Sequence, residues 1–234
     1  MTPGRVNPFL LTEATLNTKF AEAYRNLRAN ISFSSDQPVK SIMVTSARPN
    51  EGKTTTVLNL GIIIGQAGPR VLVVDADFRH PSVHEFIGFS ANGKGVPPGL
   101  SNLIVGTAQL GDVVLPSGFS RVGVLPTGPI PPNPGELLGS QRMRAVIAEL
   151  ATQADYVLLD GPPCLQYAEA YLMASMVDGI LYVVRAGAQD PAVQRRVQRQ
   201  LQQAKARMLG VVFNDAQLGE GGATTYPKGT RGSR

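Results

Sequence analysis

Ala47-Arg48-Pro49-Asn50-Glu51-Gly52-Lys53-Thr54 is the stretch on which the fold turns. It follows a β-branched apolar run, Ser41–Thr45, and leads into an apolar helical segment, Thr54–Gln66. Strand, loop and helix in that order, ending Gly-Lys-Thr, match the pattern G-x-x-x-x-G-K-[ST], with Ala47 in place of the first glycine. In such a loop the backbone N–H groups turn inward around a chain of phosphates, and the dipole of the following helix adds to the attraction. Gly52 lets the backbone approach closely, Lys53 supplies a point charge for the outer phosphates, and the Thr54 hydroxyl is a candidate ligand for Mg²⁺. Asn50, Glu51 and Thr55 complete the loop positions expected to line a bound nucleotide.

On either side of this loop, short apolar runs alternate with helical patterns. Further strands are expected at Val71–Val74, Val122–Leu125, Tyr156–Leu159, Ile180–Val184 and Leu209–Phe213. Helices are expected at Glu13–Ser32, Thr54–Gln66, Glu136–Gln153, Glu169–Met176 and Ala192–Ala206. The strands are nearly continuous in apolar residues, as strands buried on both faces should be. The reading is therefore α/β: three layers, a mainly parallel sheet with helices on both faces. Ligands of such sheets bind at the carboxyl ends of the strands. Two strands end there in acid, one running into Asp75-Ala76-Asp77 and the other into Asp160-Gly161-Pro162-Pro163. Carboxylates beside a phosphate loop can hold the hydration shell of Mg²⁺ or accept a proton from an attacking hydroxyl. Asp75 and Asp77 would share a face if their strand continued, and spacing does not decide which takes which role.

Composition narrows the class. The chain has 234 residues, 43% hydrophobic and 17% charged, enough apolar material for a full core and too much for a disordered chain. A single cysteine, Cys164, cannot form an intrachain disulfide, which fits a reducing compartment. No apolar run reaches the ~18–20 residues of a membrane span, and the first residues lack a signal-peptide pattern. A soluble cytoplasmic protein is the expectation. The net charge of +5 does not choose among anionic partners, and no nucleic acid is expected. The boundaries read as an extension over residues 1–12, a domain over 13–218 and a flexible tail over 219–234.

Three elements together, E-G-K-T-T-T, V-V-D-A-D-F-R-H-P and L-L-D-G-P-P, resemble the bacterial tyrosine kinases, autokinases built on the P-loop NTPase fold of the Min/Par partition ATPases. Glu22-Ala23-Tyr24-Arg25-Asn26-Leu27-Arg28 is similar to that family's E-x-x-R-x-x-R segment, and Pro131-Pro132-Asn133-Pro134-Gly135-Glu136-Leu137-Leu138 to one of its loops. The resemblance spans about residues 13–215. It implies ATP (leaving as ADP) with Mg²⁺, and phosphoryl transfer to tyrosine in the regulation of capsular or exopolysaccharide synthesis and export. Lys53 and Thr54 would bind phosphate and metal, Asp75 would be the base, Asp77 and Asp160 would organise the metal, and Asn214 would lie near adenine. It further implies a homo-oligomer, ring or dimer, with Glu22, Arg25 and Arg28 in intersubunit ion pairs. A transmembrane polysaccharide copolymerase or activator would hold the chain at the inner face of the plasma membrane. Where the family carries a tyrosine cluster in its tail, this sequence has one tyrosine, Tyr226, the candidate phosphosite. Competing readings are a Min/Par-like ATPase and a nucleotide-gated scaffold without kinase activity.

Other features read as structural. His80 and His84 are separated by Pro81 and make a poor metal pair; Cys164 is a small buried residue. Val193, Val197, Leu201 and Ala204 form a core-facing stripe, which leaves Arg195, Arg196, Arg199, Lys205 and Arg207 as a solvent side. Membrane-surface or nucleic-acid contact is a second use open to that basic side.

Overall fold

Six apolar runs become strands in the computed structural model, which describes residues 7–34, 36–89, 97–187 and 190–215. They are β1 (Ser41–Ser46), β2 (Val71–Asp75), β4 (Val122–Leu125), β5 (Tyr156–Asp160), β6 (Gly179–Arg185) and β7 (Met208–Asn214). A seventh, β3 (Leu115–Pro116), is a two-residue edge strand. Its brevity and its proline keep it from reading as a strand in sequence. The order is β3-β4-β2-β5-β1-β6-β7, with every pairing parallel except β3 against β4.

The helices are α1 (Lys19–Phe33), α2 (Lys53–Gln66), α3 (Val83–Phe86), α4 (Leu100–Val105), α5 (Leu110–Val113), α6 (Pro134–Leu138), α7 (Gln141–Gln153), α8 (Glu169–Ala174) and α9 (Pro191–Gln203). Two expected helices are interrupted. The segment Glu13–Ser32 opens as a 3₁₀ turn at Glu13–Thr15, and α1 starts only at Lys19, capped by the Thr18 hydroxyl accepting from Ala21 N–H. The expected helix Glu136–Gln153 breaks at Gly139 and Ser140, where the Ser140 hydroxyl accepts from Met143 N–H and begins α7 afresh. A serine there is a strong N-cap and competes with helix continuation.

Successive residues of a strand face opposite sides, and both sides are covered. Met43, Val74, Leu159 and Tyr182 belong to one core with residues of α4, α7, α8 and α9. Ile42, Val73, Leu158 and Leu181 belong to the other, with residues of α1 and α2. Each large aliphatic side chain so buried contributes about 1.5–3 kcal/mol. Residues 7–12, placed outside the domain by the sequence reading, lie against the fold: Leu10 and Leu11 are buried and Leu11 N–H donates to Asn59 Oδ1. The tail expected over 219–234, Tyr226 included, lies outside the described residues. No helix among the described residues is long and apolar enough to cross a membrane.

Candidate active site

The loop after β1 is shaped by two left-handed residues, Asn50 at φ 61° and Gly52 at φ 98°. Between them Glu51 is buried, and its carboxylate accepts Arg48 N–H at 2.8 Å, tying the loop to itself. Gly52 is required twice over. Its φ is one that L side chains rarely adopt, and a Cβ there would lie 2.0 Å from Asn214 Nδ2. Asn214, at the end of β7, donates from that nitrogen to Glu51 C=O at 3.0 Å. The edge strand and the loop are thus joined directly. Lys53 opens α2, and its buried ammonium lies 3.9 Å from Asp77 Oδ2. Thr54 and Thr55 are half-buried on the first turn, where the helix leaves backbone N–H groups without intrahelical partners.

Strand register brings the acids together. Asp75 of β2 pairs directly with Asp160 of β5. The Thr54 hydroxyl donates to Asp160 Oδ2 at 2.6 Å and lies 3.0 Å from the Ser82 hydroxyl. Asp75 Oδ2 accepts the N–H groups of Ser82 and Val83, both at 3.0 Å, at the start of α3. β2 stops at Asp75, so Asp77 does not share its strand face; a turn carries Asp77 to Lys53 instead. Its Oδ1 accepts Arg79 and His80 N–H, which holds that turn.

Burial pushes the Asp75 carboxyl well above its usual range, and the Asp160 charge beside it adds to the rise against the two backbone hydrogen bonds. Burial likewise pushes Asp160 up to about 6, although the Lys53 charge and the Thr54 hydroxyl both pull it down. One oxygen of each, Asp75 Oδ1 and Asp160 Oδ1, is buried without a hydrogen-bond partner. A buried carboxylate oxygen left so costs about 1–3 kcal/mol or more, and a cation would relieve it. The donor set, carboxylate plus threonine hydroxyl, is oxygen only, as Mg²⁺ prefers. Among the described residues no group of three or more His, Cys, Asp or Glu could hold a metal. Mg²⁺ suits such a sparse site, because it keeps waters and shares phosphate oxygens with its substrate.

The structure thus gathers Asn50, Glu51, Gly52, Lys53, Thr54, Thr55, Asp75, Asp77, Asp160 and Asn214 at the carboxyl ends of the strands. Glu22, Arg25 and Arg28 are on α1. Arg25 bonds Glu22 at 2.9 Å and Leu16 C=O at 2.7 Å, and with Arg28 it lines a cleft against Ile63, Gln66 and Ala67 of the α2 end. Two features escaped the sequence reading. Ser82 links Thr54 to Asp75, one by its hydroxyl and one by its N–H, and no local pattern signalled it. Arg79 donates to buried Glu169 from Nε at 3.1 Å and from a terminal nitrogen at 2.6 Å, and lies 4.9 Å over the Tyr167 ring. Its position in D-x-D-x-R was the available signal.

A family model described as an AAA domain matches residues 39–189. Tyrosine-protein kinase YwqD of Bacillus subtilis is 37% identical over 199 residues, 85% of this chain and 82% of that protein. The chain belongs to the bacterial tyrosine-protein kinases. Tyrosine-protein kinase CpsD of Streptococcus agalactiae is 32% identical over 92% of this chain and 91% of its own. Among solved structures, the kinase domain of the Escherichia coli tyrosine kinase ETK superposes with a TM-score of 0.82 at 29% identity, covering 97% of this chain and 86% of that one. The septum site-determining protein MinD of Pyrococcus horikoshii, complexed with Mg-ADP, shares the fold at 24% identity and TM-score 0.61, over 74% of this chain and 69% of its own. Family and fold thus agree with the expectation from the loop and the acids.

Proposed function

We propose that this kinase transfers the γ-phosphoryl group of ATP to a tyrosine hydroxyl, in the service of capsular or exopolysaccharide synthesis and export. The observation that carries the reading is the convergence of the amide-lined loop, Lys53 and the register-paired acids Asp75 and Asp160 at the carboxyl ends of the central strands. The loop amides and Lys53 would hold the β- and γ-phosphates, and Asn214 would border the adenine side through its bond to Glu51. Thr54 and Asp160, with Asp77 behind Lys53, would hold Mg²⁺. When bound, that ion neutralises charge developing on the phosphoryl oxygens. Asp75 takes the proton of the tyrosine hydroxyl. Its burial raises its proton affinity, and its second oxygen is anchored by Ser82 and Val83, so the free oxygen is fixed in place. The tyrosine oxygen–phosphorus bond forms as the bond to the leaving ADP oxygen breaks in line. Positioning supplies most of the acceleration in such a transfer.

The same reading makes Tyr226 the tail acceptor, and Glu22, Arg25 and Arg28 contacts to a second copy. A transmembrane activator would recruit the chain to the inner face of the membrane. Incubation with Mg·ATP, and with the cytoplasmic segment of such an activator, followed by phosphosite mapping of wild type and Tyr226→Phe, tests it. Phosphotyrosine is expected, with the Tyr226 site lost in the variant. ATP turnover that Lys53→Met abolishes, without any phosphotyrosine, rejects tyrosine transfer in favour of a partition-type ATPase.

A further inference from the structure

From Pro191 to Asn214 the chain carries five cations and no acidic residue. Along α9, Val197 and Leu201 are buried while Arg195, Arg196 and Arg199 are exposed, and Lys205 and Arg207 extend the basic row to the start of β7. None of the five forms a salt bridge among the described residues. Beside them, among the described residues, β7 ends the strand order and pairs with β6 alone. Its register sets Val211 opposite Tyr182 and Phe213 opposite Val184, on the sheet face that α9 covers. Yet Val211 is 47% and Phe213 60% exposed, and Met208 at the near end is exposed as well. A sheet edge is ordinarily guarded by charge, proline or a covering element; among the described residues this one shows apolar side chains next to cations that form no salt bridge.

We infer that the outer side of α9 and the edge of β7 form a docking face for an anionic lipid surface. Arginines beside partly exposed aromatic and aliphatic side chains match the two layers of such a surface, anionic headgroups above and acyl chains beneath. Nucleic acid would satisfy the cations but gives Val211 and Phe213 no apolar layer to enter. The face also reaches the kinase site, since Phe213 immediately precedes Asn214, which bonds the Glu51 carbonyl. The inference is independent of the tyrosine-transfer reading.

Co-sedimentation of the full chain with vesicles of phosphatidylcholine alone, and with phosphatidylserine added, tests it at low and high salt. Binding is expected only with phosphatidylserine and only at low salt. Each cation removed should lower partitioning about fivefold, so Arg195→Glu with Arg199→Glu should lose at least about 25-fold. Phe213→Ser should weaken binding several-fold, and Lys19→Glu, on the opposite helical layer, should leave it unchanged. Far-UV circular dichroism and nucleotide binding report that each variant is folded. The inference is overturned if phosphatidylserine vesicles are not bound at low salt, if the α9 double variant binds like wild type, or if Lys19→Glu loses as much. It is equally overturned if duplex DNA binds more tightly than the vesicles with the same dependence on Arg195 and Arg199.

Discussion

Asp160 is where folding and chemistry oppose each other. Its folded-state pKa of about 6 stands above the usual carboxylate value, so ionising it costs stability. The sign follows: the penalty is absent below about pH 4, grows between about pH 4 and 6, and is full above 6. Without nucleotide, the protein should therefore melt at a higher temperature at pH 5 than at pH 7.5. Asp160→Asn should stabilise the protein at pH 7.5, by ~3 kcal/mol at the upper limit, and so raise its melting temperature, while abolishing Mg²⁺-dependent turnover. Calorimetry with an ATPase assay checks both, and a destabilised Asp160→Asn would refute the account. Cys164 is the inert counterpart. Burial pushes its thiol up to about 11, so at pH 8 only about one thiol in a thousand is ionised. Iodoacetamide should leave it unmodified in the native protein and label it rapidly in urea, as read by intact mass. The acids themselves were legible because each ends an apolar strand. What the sequence left open, which oxygen is anchored and which is free, depends on N–H groups of α3 that only the folded chain brings to Asp75.

The loop between β1 and α2 joins two demands on a single glycine. Gly52→Ala meets a backbone angle of 98° and a neighbouring amide nitrogen 2.0 Å from the new Cβ. It should cost about 1–2 kcal/mol from the left-handed angle alone, and more once Asn214 is displaced. Nucleotide affinity should fall with it, which urea unfolding and fluorescent-nucleotide titration would show; unchanged affinity would mean that the Asn214 contact does not shape the loop. This element was readable from its local pattern, since a phosphate-binding turn is built from contiguous residues. The helix expected across 136–153 was not, because its apolar period continues through a break that Gly139 and Ser140 impose. A Cβ at Gly139 would lie 2.8 Å from Leu172 Cδ1 on α8, so the break lets two helices approach. The short helices α3, α4 and α5 span four to six residues, too few for a periodic signal.

Across the sheet, stability should fall from centre to edge. β1 and β5 are paired on both sides and almost wholly buried, whereas β7 has one neighbour and alternating exposure. Amide exchange followed by mass spectrometry should be slowest in β1 and β5 and faster in β7; equal protection in β7 would show that its free edge is covered. Sequence settled the class of this molecule. Apolar runs buried on two faces, punctuated by a phosphate loop and strand-end acids, are local patterns, and local backbone chemistry suffices to read them. Tertiary structure decided the rest, namely the β2–β5 register that sets Asp75 against Asp160, the reach of Asn214 across to Glu51, and the apolar edge left beside α9. The first two are meetings of residues 85 and 163 positions apart, and the third depends on a strand that, among the described residues, is paired on one side alone. Packing and strand order govern such meetings, and neither is written in any one segment of the chain.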